Sequence, residues 1–305
     1  MPAIQEELRR RTRLSRPQVR VRGAEVVRSA QVSPRLRRVV VGGPDLAGLE
    51  GGLPADAWKF MLPQPGRRRV DLPVVGADGR PGHAPGAVPP VMRALTVRAY
   101  DPAAAELTVD VVLHGDSPAG TWAREAVPGD TVGLAGPRHE FYASPEAEWH
   151  LLAGDTAALP AIAAILESLP DRTPVVALIE TDGADERIDL AAPAGAQVRW
   201  IHRDGAPAAG GGLLEKAVRA LDRPFAGAQA WLGAEAGTVR AVRRHLLDER
   251  GLPRPQLRAA AYWNNTLTSD ERDARVLAAY RAAVAAGGDP DDPDDPELTT
   301  DADLA

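Results

Sequence analysis

From residue 19 to residue 135 the chain runs in short stretches of β-branched, aromatic and aliphatic residues punctuated by Gly, Pro and Asp. Val19–Ser29, Arg37–Val41, Trp58–Leu62, Ala94–Tyr100, Leu107–Leu113 and Thr131–Ala135 read as strands. Val109-Asp110-Val111-Val112-Leu113 is nearly all apolar, as in a strand covered on most sides. Runs at this spacing, with no long helical pattern between them, predict a small antiparallel barrel. Pro63 to Met92 breaks the rhythm. It is rich in Gly and Pro, contains Arg67-Arg68-Arg69, and reads as a long surface loop.

After Glu148 the pattern changes. Trp149–Ala153, Val175–Ile179, Gln197–Ile201, Ala230–Gly233 and Leu257–Tyr262 are short apolar strands. Helical stretches lie between them, one ending at Leu169 and others over Leu213–Leu221 and Ala236–Glu249, with a last one near Ser269–Ala285. Strand–helix alternation predicts a parallel sheet covered by helices. Asp155 stands where an N-cap would, with Pro160 in the first turns of the helix. The fold class expected is therefore two-domain, an N-terminal antiparallel β-barrel and a C-terminal α/β domain, meeting near residue 146. A cleft between such domains can hold one cofactor against the barrel and another at the C-terminal ends of the strands.

Composition narrows the setting. With 305 residues, 44% hydrophobic and 26% charged, the chain is long enough for two cores. It has no cysteine, which excludes disulfides, thiolate metal sites, iron–sulfur clusters and cysteine nucleophiles. No apolar run approaches 18 residues, so no membrane span is expected. Arg9, Arg10, Arg11 and Arg13 are followed by no apolar segment, so no secretory or twin-arginine leader is expected, and the protein reads as cytoplasmic. The net charge of −6 becomes +2 once the eight acidic residues of 282–305 are set aside. That near-neutral body argues against nucleic acid as partner. The chain thus divides into a solvated basic arm (1–18), a barrel (19–145), an α/β domain (146–285) and a disordered acidic tail (286–305).

Four segments carry candidate chemistry. Arg93-Ala94-Leu95-Thr96-Val97-Arg98 opens a strand: guanidinium groups fork onto phosphates and a hydroxyl can bond a ring nitrogen. Two exposed arginines on an edge strand would look the same. His114-Gly115-Asp116-Ser117-Pro118-Ala119-Gly120-Thr121-Trp122-Ala123 leaves a strand for a short helix whose N–H groups can meet a pyrophosphate. A Pro/Gly turn with a core Trp fits it equally. Gly154-Asp155-Thr156-Ala157-Ala158-Leu159-Pro160 is a strand–helix turn of small residues suited to a dinucleotide phosphate. Trp231-Leu232-Gly233-Ala234-Glu235 and Ala261-Tyr262-Trp263 place aromatics at strand ends, where they stack on planar rings or fill the core.

The order and spacing of these segments, with Pro128-Gly129-Asp130 and Gly136-Pro137 between them, resemble the siderophore-interacting, flavin-dependent ferric-chelate reductase family, from Ser33-Pro34-Arg35 to Tyr262-Trp263. The resemblance implies a ferredoxin-reductase-like protein with FAD on the barrel. NADPH or NADH (or a ferredoxin) would supply electrons, and a ferric siderophore would accept them. It assigns the cofactors to Arg93, Leu95, Thr96, Val97, Arg98, His114, Ala119, Trp122, Gly154, Asp155, Thr156, Tyr262 and Trp263. Thr96, Lys59 and Glu235 take the catalytic side, with the arginine loop as a second candidate for an anionic chelate. No resident metal is implied. The chain departs from the family pattern at Leu95 (Tyr in the family), in a His114–Trp122 segment one residue shorter, with Ser117 (Gly) and Gly120 (Ser), and at Thr156-Ala157 (Glu-Thr), Gly233-Ala234 (Ala-Gly) and Asn264 (Arg). Those positions admit two other readings. One is a scaffold that has lost redox chemistry and acts as a cyclase or isomerase on a secondary metabolite; the other is a non-catalytic carrier. A monomer and a homodimer are equally compatible with the sequence.

Overall fold

The computed structural model describes residues 4–15, 20–50, 52–75, 81–115, 117–210, 212–266 and 268, together with 271, 274, 275, 278, 282 and 285. The acidic tail and most of the expected last helix lie outside them.

The first domain is a closed barrel. Its strands are β1 (Arg22–Ser33), β2 (Leu36–Gly42) and β3 (Ala57–Leu62), then, beyond a short hairpin of β4 (Val74–Val75) and β5 (Pro81–Gly82), β6 (Val91–Asp101), β7 (Glu106–Val112) and β8 (Thr131–Arg138). They close in the order β1-β2-β7-β6-β3-β8, every neighbour antiparallel. Alternation sends Trp58, Phe60 and Leu62 inward to meet Val39, Val41, Val109 and Leu134. The loop after β3 folds back along β8: Thr131 N donates to Arg68 O (2.9 Å) and Val70 N to Thr131 Oγ1 (2.9 Å). Gly133 permits this, because a Cβ there would lie 2.3 Å from the Leu72 side chain. Arg67 and Arg68 of the loop bind Asp71 and Asp130, so the loop that was a candidate for an anionic chelate has two of its arginines neutralised.

Helix α2 (Pro118–Glu125) joins β7 to β8. The second domain then follows as β9 (Trp149–Asp155), α3 (Leu159–Ser168), β10 (Val175–Thr181), β11 (Ala196–His202), α4 (Leu213–Arg219), β12 (Ala228–Glu235), α5 (Ala236–Arg244) and β13 (Leu257–Trp263). The sheet is parallel, in the order β11-β10-β9-β12-β13. Its direction of growth reverses between β9 and β12, the switch point where open α/β sheets bind ligands. β9, β10 and β12 are buried along their whole lengths, which is why they read as unbroken apolar runs.

One apolar core crosses the seam: Leu36, Ala55 and Phe141 of the barrel side pack with Leu152, Leu159, Ile162 and Trp231. Polar contacts reinforce it. Arg98 on β6 binds Glu167 on α3, Arg35 binds Asp182, and Ser33 Oγ donates to Glu186 (2.9 Å). In the connection 139–148, Ser144 N donates to Gln229 Oε1 (2.8 Å) and Gln229 Nε2 to Tyr142 O (2.7 Å).

The expected solvated arm is instead a helix over most of its length. Helix α1 (Ile4–Ser15) buries Ile4 and Leu8 against β13, the turn Arg254–Gln256 and β8, touching both domains. Glu7 binds Arg10 and Arg11, and the Arg11 guanidinium lies 4.8 Å from the centre of the Tyr142 ring. Two apolar residues four apart among charges make a narrow face, and tertiary burial supplies the helix with its stability. Leu8→Ala is accordingly expected to lower the unfolding free energy by about 2 kcal/mol, read as a fall in the urea midpoint at unchanged slope.

Candidate functional site

A cavity of about 770 Å³ lies in the seam. Its barrel wall is the start of β6 (Arg93, Leu95, Thr96), the end of β7, and the N-terminus of α2 with His114, Ser117 and Ala119. Its other wall is the C-terminal edge of the sheet: Asp155 and Thr156 after β9, and Tyr262, Trp263 and Asn264 at the end of β13. These two walls are the ones the sequence motifs name, and only the folded seam brings them within one volume.

Asp155 organises the sheet edge. It is fully buried, and its carboxylate accepts from Ala157 N (2.9 Å), Glu235 N (3.0 Å) and Trp263 Nε1 (2.7 Å). It therefore ties β9, β12 and β13 together and fixes the indole. Burial pushes its pKa up to about 6 against the pull of those donors. It does not cap α3. A turn intervenes, Ala158 N donating to Asp155 O (2.9 Å), and Ala158 holds the cap position.

Several expected site residues have other work. Glu235 caps α5, accepting from Gly237 N (2.6 Å) and Thr238 N (3.1 Å), and its side chain is not on the cavity wall. Arg98 is taken by Glu167 across the seam. Val97 packs on the barrel core and donates its N–H to Asp56 O (2.8 Å). Trp122 is buried in that core, its ring 6.5 Å from Phe60. Lys59 sits on the outward side of β3, since alternation turns Trp58 and Phe60 inward, and lies off the cavity wall. Gly154 faces Gly233 in register, and a Cβ on it would lie 2.6 Å from both the Ala158 methyl and Gly233 O. It is glycine so that α3 can close on the sheet. Arg35, Asp110 and Arg203 also line the cavity, and none of them was assigned to a cofactor. The β1–β2 turn, β7 and the end of β11 bring them in from distant parts of the sequence. Asp110 is held by Arg38 through a two-pronged ion pair (2.7 and 2.8 Å).

The departures from the family pattern have local explanations. Ser117 is the N-cap of α2, its Oγ accepting from Gly120 N (3.2 Å), and a Cβ on Gly120 would lie 2.7 Å from that same Oγ. Ser117 thus supplies a hydroxyl at the helix N-terminus, three residues before Gly120. Gly233 makes room for the Trp231 ring, which a Cβ would meet at 2.7 Å. Asn264 turns the chain after β13 by accepting from Thr266 N and Thr266 Oγ1 (2.8 Å each). Leu95 lines the cavity as an apolar wall without a ring.

The donor set fits a flavin dinucleotide. The cavity size is in the ordinary range for a cofactor site. Leu95, Val111, Val112 and Pro160 supply apolar walls, Thr96 a hydroxyl, Arg93 a cation, and the α2 N-terminus a capping hydroxyl and N–H groups.

Comparison with known proteins agrees. A family model described as siderophore-interacting FAD-binding domain matches residues 25–141, and one described as siderophore-interacting protein matches residues 147–266. The ferric vibriobactin reductase ViuB of Vibrio cholerae is 34% identical over 245 residues, 78% of this chain and 88% of that protein. The crystal structure of a siderophore utilization protein from T. fusca superposes with a TM-score of 0.73 at 38% identity, covering 82% of this chain and 95% of that one. A ferredoxin reductase from carbazole 1,9a-dioxygenase, at 18% identity and a TM-score of 0.62 over 80% of this chain and 70% of its own, shares the fold. With both of its domains matched and the same two walls closing on one cavity, the chain belongs to the siderophore-interacting protein family.

Proposed function

We infer that this protein is a flavin-dependent reductase of ferric siderophores, with NADPH or NADH as the electron donor. The observation that carries this reading is the single cavity walled by Arg93, Thr96 and the α2 N-terminus on one side and the switch-point edge of a parallel sheet on the other. Arg93 and the α2 N-terminus with Ser117 would hold the pyrophosphate, and Thr96 would hydrogen-bond the ring. FAD supplies, when bound, the conversion of a two-electron donor into single electrons for iron. The ferric siderophore is substrate. Its hard oxygen donors hold Fe(II) less firmly than Fe(III), so reduction frees the metal.

The sheet edge, with Asp155 and Thr156 at its centre, favours a nicotinamide dinucleotide over a ferredoxin as donor, and such a donor sets the working compartment as the cytoplasm. Among the described residues no helix is long and apolar enough to cross a membrane. The cyclase or isomerase reading drew on the departures in the cofactor sites. Ser117 still offers a hydroxyl at the α2 N-terminus, and the relative over most of the chain is named a reductase.

Leu95 offers a direct test. Titration of the purified protein with FAD, followed by quenching of free-flavin fluorescence, is expected to saturate at one FAD per chain. Leu95→Tyr is expected to tighten binding by about 0.5–1.5 kcal/mol through ring stacking. An absence of saturable FAD binding in both proteins would refute the proposal.

A further inference from the structure

Thr96 is buried on β6, and its hydroxyl is a rotor with one proton and two lone pairs. A rotor left to itself has no fixed direction. The phenol of Tyr262, arriving from β13 of the other domain, places its oxygen 3.4 Å from Thr96 Oγ1. That is longer than a formed hydrogen bond between two hydroxyls, and site contacts of this kind tighten on binding.

Tyr262 is itself held. Its ring stands edge-on to Trp231, centroids 5.9 Å apart and planes at 87°, and Trp231 keeps its place because residue 233 is a glycine. A line of contacts thus runs from Gly233 through Trp231 and Tyr262 to Thr96.

We propose that Tyr262 is a positioning residue that aims the Thr96 hydroxyl at the flavin ring. The proposal rests on the flavin reading above and adds to it the direction of a proton. An oxidised flavin offers only acceptors on its central ring, so Thr96 must donate there and must accept from Tyr262. Tyr262 suits this, because burial, and then the charge of Glu140, hold its proton more firmly than usual. The seam between the domains therefore sets the electronic environment of the flavin as well as its enclosure.

The experiment compares FAD-loaded wild type, Tyr262→Phe, Thr96→Val, Thr96→Ser and the double variant Tyr262→Phe/Thr96→Val. Two properties are read, the absorption spectrum of bound FAD and its reduction potential. Tyr262→Phe keeps the ring and the Trp231 contact. It is expected to bind FAD and to shift spectrum and potential in the same direction as Thr96→Val, and by a comparable amount. The double variant is expected to shift no further than Thr96→Val alone, and Thr96→Ser to match wild type. A Tyr262→Phe protein with the wild-type spectrum and potential overturns the proposal, as does full additivity in the double variant. A wild type that takes up no FAD overturns the functional reading and this proposal with it, a result distinct from a loaded protein indifferent to Tyr262.

Discussion

Glu140→Ala is expected to lower the unfolding free energy by about 3 kcal/mol at neutral pH, the lower end for breaking a buried ion pair. Glu140 is 1% exposed in the connection between the domains. Its Oε1 binds Arg138 Nε of the barrel (2.7 Å), and its Oε2 binds Arg258 Nε of β13 (2.8 Å). Removing the carboxylate leaves two guanidiniums facing one another across the seam. Both are partly exposed, so water relieves some of the cost. Burial pushes the carboxyl up, but the two arginines more than reverse this and leave its pKa below the ordinary value. The unfolded chain therefore takes up this proton first as pH falls. The stabilisation from Glu140 is complete above the usual carboxylate range and is lost as pH drops through the lower folded value. Urea unfolding of parent and variant should show a gap at neutral pH that closes toward strong acid.

Asp155→Ala is expected to cost a similar amount, about 3 kcal/mol at neutral pH, with the opposite pH signature. Three donors lose their acceptor, at roughly 1–3 kcal/mol each, while the burden of keeping a charge buried is relieved. The folded protein holds the Asp155 proton up to about pH 6, above the unfolded value of 3.8. Between these values the folded state binds more protons, so the contribution of Asp155 to stability is largest in acid. It falls by about 3 kcal/mol as pH rises through about 6. The gap between parent and Asp155→Ala should widen from pH 7 toward about pH 5. The near-ultraviolet signal of Trp263, whose indole N–H is released, should change as well.

These two carboxylates show where sequence reading stops. The strands were legible because burial leaves a local record, alternating at the start of β1 and unbroken in β9, β10 and β12. Helix α1 was not, because its apolar face is two residues wide and the surfaces that cover it lie some 130 and 250 residues away along the chain. In the site, the segments singled out in the sequence line the two walls of the cavity, but not all of their side chains reach it. Arg98 sits inside the Arg93–Arg98 segment, yet its partner Glu167 is 69 residues on. Glu235 has the composition of a catalytic acid and the position of a helix cap. Ser117 and Gly120 read as separate substitutions, yet in the fold they are one contact, Ser117 Oγ accepting from Gly120 N. Charge pairing across a seam and steric exchange within a turn are properties of three-dimensional neighbours, and one sequence does not record them.

The central claim is that electrons pass from a nicotinamide through FAD held in this cavity to ferric iron. The most direct measurement is anaerobic absorption spectroscopy of the FAD-loaded protein. NADPH or NADH is added first, then a ferric siderophore together with a ferrous-specific chromogenic chelator. The account predicts bleaching of the flavin bands by one or both nucleotides, then recovery of the bands as the ferrous complex appears in proportion. A flavin that stays oxidised with either nucleotide, or a reduced flavin that the ferric siderophore leaves bleached with no ferrous complex formed, would contradict it.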